Sequence, residues 1–209
     1  MPSEISRRPF DAVLCDLDNV IRFYDTTLLA ELERDAGLAE GTTARVAFSP
    51  ERDRPLLVGA VDKQQWVESI VIGLAEHVPE GHARTLGAAF AQTPFWADDV
   101  AVTVLLQVRA HMPLVLVTNA DLELEDDLAS LGLADFADHV VSSARVGVAK
   151  PDREIYEIAA RQAGVPMHRC LFVDDLLENV EAAVELGMTG VHYREPADLR
   201  GPLGFMLGS

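Results

Sequence analysis

The sequence predicts a doubly wound α/β fold, an open parallel sheet with helices on both faces and a helical insertion after its first strand. Three observations carry this expectation. Residues 12–15, 114–117 and 170–173 are apolar at every position rather than at every second one, as strands covered on both faces require. Between the later runs lie helical patterns that stop at Gly132, Gly164 and Gly187, where a left-handed cap is wanted. About residues 22–98 separate the first strand from the helix that feeds the second, far more than an ordinary connection of a few residues.

Taken in order, the first strand covers residues 11–15. The insertion then reads as helices over 27–36, 62–77 and 82–92, the middle one marked by Trp66, Ile70 and Leu74 spaced at four. Residues 52–55 form a charged, proline-containing break between them, and Phe95 with Trp96 packs where the chain returns. After the second apolar run come a helix over 121–131 and a weaker strand over 140–142. A helix over 151–163 follows, with Pro151 suited to its first position. The third run leads to a helix over 176–186 and a last strand over 190–193. Strand, helix, strand in alternation implies right-handed crossover units. The expected division is a Rossmann-like core of residues 1–21 and 99–209 and a small all-helical cap of residues 22–98 over one edge of the sheet.

With 49% hydrophobic and 24% charged residues, the composition is that of a folded soluble chain. No stretch reaches the roughly 18 uninterrupted apolar residues of a membrane helix. Residues 1–10 lack the apolar run of a secretory signal, so a cytoplasmic protein without a membrane partner is expected. Cys15 and Cys170 sit inside apolar runs, where thiols behave as small core residues. A net charge of −17 argues against a nucleic-acid partner, since phosphate backbones are held by clustered Lys and Arg. It also means that any phosphate-bearing ligand needs a local cationic device.

In an open parallel sheet, ligands bind beyond the carboxyl ends of the strands. The residues that follow each apolar run are therefore informative. They are Asp16 and Asp18 after the first, Thr118 and Asn119 after the second, and Asp174 and Asp175 after the third, with Lys150 just ahead of Pro151. Four carboxylates in one crevice repel: two unit charges about 4 Å apart interact by roughly 4 kcal/mol at an effective dielectric of 20. A hard divalent ion with oxygen ligands resolves that repulsion, and Mg²⁺ suits it. Thr118 and the Asn119 backbone amide would then meet phosphate oxygens, and Lys150 would supply a fixed positive charge.

The segments Asp-Leu-Asp-Asn-Val, Val-Thr-Asn, Lys-Pro-Asp and Phe-Val-Asp-Asp-Leu-Leu-Glu-Asn resemble, in order, the four motifs of haloacid dehalogenase-like hydrolases. The long insertion resembles the helical cap of their first subclass. The resemblance implies a Mg²⁺-dependent phosphatase acting on a small phosphorylated metabolite, with Asp16 as the nucleophile that becomes transiently phosphorylated. Asp18 would protonate the leaving oxygen and then activate water, holding its proton through burial and neighbouring carboxylates. The metal ligands implied are Asp16, the Asp18 carbonyl and Asp175, with Asp174 acting through water. Asn19 replaces the usual glycine of the first motif; Asn tolerates the left-handed conformation better than most residues. Dehalogenases proper lack the second acid, so Asp18 favours phosphate chemistry over halide chemistry.

The same machinery also serves phosphosugar mutases, and a non-hydrolytic member would only bind a phosphorylated ligand. A phosphoacceptor receiver domain shares clustered Asp, Thr and Lys but predicts no large insertion. The six histidines show no ligand spacing and read as structural or surface residues. Glu123, Glu125, Asp126 and Asp127 read as a solvated helix face. Asn179 reads as a support for the loop after Asp175. Arg22, Phe23 and Tyr24, where the chain leaves for the insertion, read as hinge packing with substrate contact as the rival.

Overall fold

The computed structural model describes residues 8–204 of the 209. The chain begins with β1 (Ala12–Cys15) and β2 (Arg22–Tyr24). Five helices follow: α1 (Thr27–Asp35), α2 (Thr42–Ala47), α3 (Pro50–Leu57), α4 (Lys63–Leu74) and α5 (Glu80–Ala91). β3 (Phe95–Ala97) closes this excursion. Helices and strands then alternate through α6 (Asp99–Arg109), β4 (Leu114–Thr118), α7 (Leu124–Ser130) and β5 (His139–Ser142). The rest is α8 (Ser143–Val146), α9 (Arg153–Ala163), β6 (Cys170–Asp174), α10 (Leu177–Glu185), β7 (Thr189–His192) and α11 (Ala197–Leu203).

The main sheet is parallel in the order β5-β4-β1-β6-β7, so the first strand lies at its centre. Side chains leave a strand alternately to either face, and here both faces are apolar. Val13, Cys15, Leu116 and Val173 point into one core with Leu105 of α6, Leu128 of α7 and Leu199 of α11. Leu14, Val117 and Phe172 point into the other with Ile155, Tyr156 and Ala159 of α9 and Ala183 of α10. This two-sided burial is why the strands read as unbroken apolar runs. Truncating a fully buried side chain such as Leu14 would cost about 2–5 kcal/mol.

The insertion has a third core, in which Trp66, Ile70 and Leu74 of α4 meet Leu29 of α1, Leu56 of α3 and Leu86 of α5. α4 is started by a capping box, with Asp62 accepting from Gln65 N and Gln65 accepting from Asp62 N. At the base of the insertion, β2 and β3 pair antiparallel, with the Phe23 and Trp96 rings stacked 6.2 Å apart.

Three expectations need correction. The break expected at 52–55 lies within α3: Pro50 occupies an opening position of the helix and Pro55 sits in its last turn. There a missing donor removes a single bond of a short element. α2 and the β2–β3 ribbon were not foreseen, being too short to show a period. The helix expected from 121 starts at Leu124, because Asp121 Oδ1 accepts from Glu123 N at 2.8 Å and holds a turn ahead of it. α9 likewise begins at Arg153, after Pro151.

Candidate active site

Asp16 is the first residue beyond β1, tied to β6 by its N–H to Val173 O at 2.9 Å. Its carboxylate therefore stands at the carboxyl edge of the sheet. Crossovers from β1 run to one side and those after β5 to the other, and a crevice opens at such a switch of direction. Asp16 Oδ1 accepts from Leu17 N at 2.8 Å and pairs with Lys150 Nζ at 2.7 Å. The same ammonium reaches Asp174 Oδ2 at 2.7 Å. Asp174 Oδ1 in turn accepts from Leu176 N at 2.9 Å and from Asn179 Nδ2 at 3.0 Å. Asn119 grips the lysine from behind: its amide donates to Lys150 O at 3.0 Å and accepts from Lys150 N at 2.8 Å.

Burial governs the electrostatics here. It pushes the Asp16 carboxyl up to about 7, with Lys150 pulling down and the charges of Asp174 and Asp18 pushing further up. Burial would depress Lys150, but Asp16 and Asp174 outweigh it and hold the ammonium above its ordinary value. Burial also raises Asp175, against the hydrogen bond it accepts from Asn19 Nδ2 at 2.9 Å. One lysine thus does not neutralise the crevice. Asp16, Asp174 and Asp175 each place an oxygen within 4.8 Å of the others. Asp174 has both oxygens engaged, which leaves Asp16 and Asp175 as hard oxygen donors of the kind Mg²⁺ takes. The residues present fit that ion.

Thr118 ends β4, fully buried, and its hydroxyl has no hydrogen-bond partner. A buried polar atom left orphaned is uncommon and calls for an explanation. Asn19 adopts φ +57°, the left-handed turn that its family position requires.

Asp18 is not surrounded by carboxylates as expected. Arg22 Nε and Nη2 donate to its two oxygens at 2.6 and 3.1 Å, and Tyr24 OH donates to Oδ1 at 2.9 Å. Such a fork is the strong, geometrically fixed form of a carboxylate pair. Arg22 also binds Asp127 Oδ2 at 2.7 Å. Asp127 therefore leaves the solvated face predicted for the acidic run, because the fold gives it a buried cation to meet.

The structure brings Asp16, Lys150, Asp174 and Asp175 into one cluster, with Thr118 and Asn119 at the end of the adjacent strand. Asp18 stands beside them, held by Arg22. The clamp escaped sequence reading, although one signal was present: Arg22 and Tyr24 are two apart on a strand and so share a face. Asp127 gave no signal, lying far along the chain.

The chain belongs to the haloacid dehalogenase-like hydrolases: the model of that family matches residues 10–187. It is a hydrolase of this class. Among curated relatives, the pyrimidine 5'-nucleotidase YjjG of Escherichia coli is 34% identical over 102 residues, covering 46% of this chain and 45% of its own length. The chain thus spans less than half of that relative. The glyceraldehyde 3-phosphate phosphatase of Methanothermobacter thermautotrophicus is 23% identical over 191 residues, covering 86% and 84%. A solved enzyme of the family from Bacteroides thetaiotaomicron, bt-2542 in complex with magnesium and inorganic phosphate, superposes with TM-score 0.68 at 18% identity, covering 88% of this chain and 94% of that one. The L-2-haloacid dehalogenase RSc1362 gives TM-score 0.69 at 22% identity, covering 95% and 99%. At these identities the two solved structures speak for the fold alone.

Proposed function

We propose that this hydrolase cleaves phosphate monoesters of a small molecule through an aspartyl phosphate on Asp16, with Mg²⁺ as cofactor. The observation that carries the reading is the Asp16 carboxylate fixed at the sheet edge by Lys150, beside a buried Thr118 hydroxyl with no partner. Thr118 and Lys150 would take phosphate oxygens, and Asn119 holds Lys150 in place. Asp16 and Asp175, with the Asp18 carbonyl, would hold the metal ion, which supplies positive charge against the phosphate dianion.

A carboxylate oxygen of Asp16 attacks phosphorus, and the bond from phosphorus to the ester oxygen breaks. Asp18, once it has left the Arg22 clamp and taken up a proton, gives that proton to the departing alkoxide, which leaves as the alcohol. Asp18 then takes a proton from water, the hydroxide attacks phosphorus, and the bond to Asp16 breaks. Inorganic phosphate leaves and both acids return to their starting states. Because Arg22 grips both oxygens of Asp18, the acid must turn out of this clamp to serve the ester.

Residues 22–98 act as a cap domain over a core of residues 1–21 and 99–209, keeping bulk water from the phosphoenzyme. Relatives named as a pyrimidine 5'-nucleotidase and a glyceraldehyde 3-phosphate phosphatase support phosphate chemistry, as does Asp18, which dehalogenases lack. Among the described residues no helix is long and apolar enough to cross a membrane. Two buried free thiols, Cys15 and Cys170, suit a reducing cytoplasm.

The test is phosphate release from p-nitrophenyl phosphate and a panel of metabolite phosphates, with Mg²⁺ or EDTA, for wild type and Asp16→Asn. Turnover that needs Mg²⁺ and disappears in Asp16→Asn is the expected result. A folded protein that releases no phosphate from any ester, or an Asp16→Asn variant that still turns over, would overturn the reading.

A further inference from the structure

Between the insertion and the sheet edge lies a cavity of about 770 Å³, the size range of ligand pockets, roughly 300–1,000 Å³. Asp18, Asn19 and Asn119 line its sheet side, and Asp18 is close enough to Asp16 for its charge to raise the Asp16 carboxyl. Leu29, Ala44, Leu56, Trp66 and Phe90, one from each of the five helices of the insertion, line the other. Phe90 packs against both Trp66 and Phe48 at 5.7 and 5.6 Å between ring centres, so much of this wall is aromatic and aliphatic, with Glu33, Glu40, Asp53 and Lys63 among it.

The charged groups that reach the cavity are mostly occupied. Glu33 accepts from Gly41 N and Thr43 N, both at 2.6 Å. Lys63 donates to Glu123 at 2.9 Å, and Arg22 is shared by Asp18 and Asp127. The Thr93 hydroxyl donates to the Phe90 carbonyl at 2.9 Å. Burial by itself lifts the Asp53 carboxyl to about 6, a mark of poor hydration along this wall. The Trp66 indole N–H is without a partner. A sugar or nucleoside would bring several hydroxyls into such a space, and each one left unpaired costs about fivefold to a hundredfold in affinity.

We infer that the cavity receives the leaving group of the substrate, and that this group is a bulky apolar alcohol. The inference rests on the phosphatase reading of Asp16 for the position of the phosphate. The apolar part of the wall, formed by Leu29, Leu56, Trp66 and Phe90, then sorts substrates by the hydrocarbon they carry.

The experiment compares ethyl, butyl, octyl and dodecyl phosphate with glucose 6-phosphate, below micelle-forming concentrations. It reads kcat/KM on the wild type and Kd by calorimetry on Asp16→Asn. Each added methylene should improve both quantities about two- to fourfold until the cavity is full, which puts octyl phosphate about sixtyfold or more ahead of ethyl phosphate. Ala44→Trp, which narrows the cavity, should lower the octyl-to-ethyl ratio at least tenfold. If short esters are hydrolysed with no dependence on chain length, or if glucose 6-phosphate outruns octyl phosphate, this inference fails while hydrolysis stands. If nothing is hydrolysed, the Kd series on Asp16→Asn decides alone: affinity rising with chain length supports the cavity's role, and a flat series overturns it.

Discussion

The sheet edge and the insertion cavity adjoin each other and are built on opposite principles. At the edge, charges are dense and interlocked: Lys150 joins Asp16 to Asp174, and Asn179 and Leu176 hold Asp174 in turn. In the cavity, hydrocarbon surface dominates, and polar groups such as Glu33 are turned to structural use. A phosphate needs fixed charges at fixed distances, whereas a hydrocarbon needs mainly space and apolar surface. One region can therefore define the reaction while the other selects what undergoes it.

The largest effect that would break this contrast is on chemistry. Asp16→Asn should reduce phosphate release by about 10⁴-fold or more with the fold retained, as measured by steady-state kinetics and circular dichroism; substantial residual turnover would remove the edge as the reacting centre. Next comes stability: Lys150→Met leaves Asp16 and Asp174 buried without their cation and should cost about 3–5 kcal/mol in urea unfolding. A negligible loss would mean the two acids are compensated elsewhere.

Thr118→Val should sharpen the comparison, since its hydroxyl has no partner in the protein. Stability should hold or improve slightly, while KM for a phosphate ester rises about tenfold. A drop in stability above about 1 kcal/mol would make Thr118 a packing residue instead. The smallest effect belongs to the cavity wall. Asp53 has its folded carboxyl raised from 3.8 to about 6, so between those values the folded chain keeps a proton that the unfolded chain releases. Stability contributed by this group is present below that window and is lost as pH rises through it. Asp53→Asn should thus gain about 1 kcal/mol at pH 8, after allowance for solvent screening, and little at pH 3.5. Urea titrations at the two pH values check this.

What the sequence made legible follows the same division. Asp16, Thr118 and Asp175 each follow or end a run of residues that is apolar for its own local reason, and strand ends in a parallel sheet lie on one side. Position along the chain therefore implied position in space. The Arg22–Asp127 contact could not be read this way, because it joins the start of the insertion to a helix after β4. The cavity was equally hidden: α2 and α3 are too short to show a helical period, and its walls exist only once five helices have packed. Asn19 shows the middle case, in which the left-handed turn was foreseen and its bond to Asp175 was not.

The ribbon at the base of the insertion has one more consequence. Asp25 N donates to Pro94 O at 2.8 Å, just beyond the pairing of Tyr24 with Phe95, so the excursion leaves and rejoins the core at a single point. Chain geometry would let a two-residue hairpin turn bridge that gap. Selectivity could then be exchanged by grafting another excursion onto the same pair of strands, as one changes the bit of a drill without touching the motor.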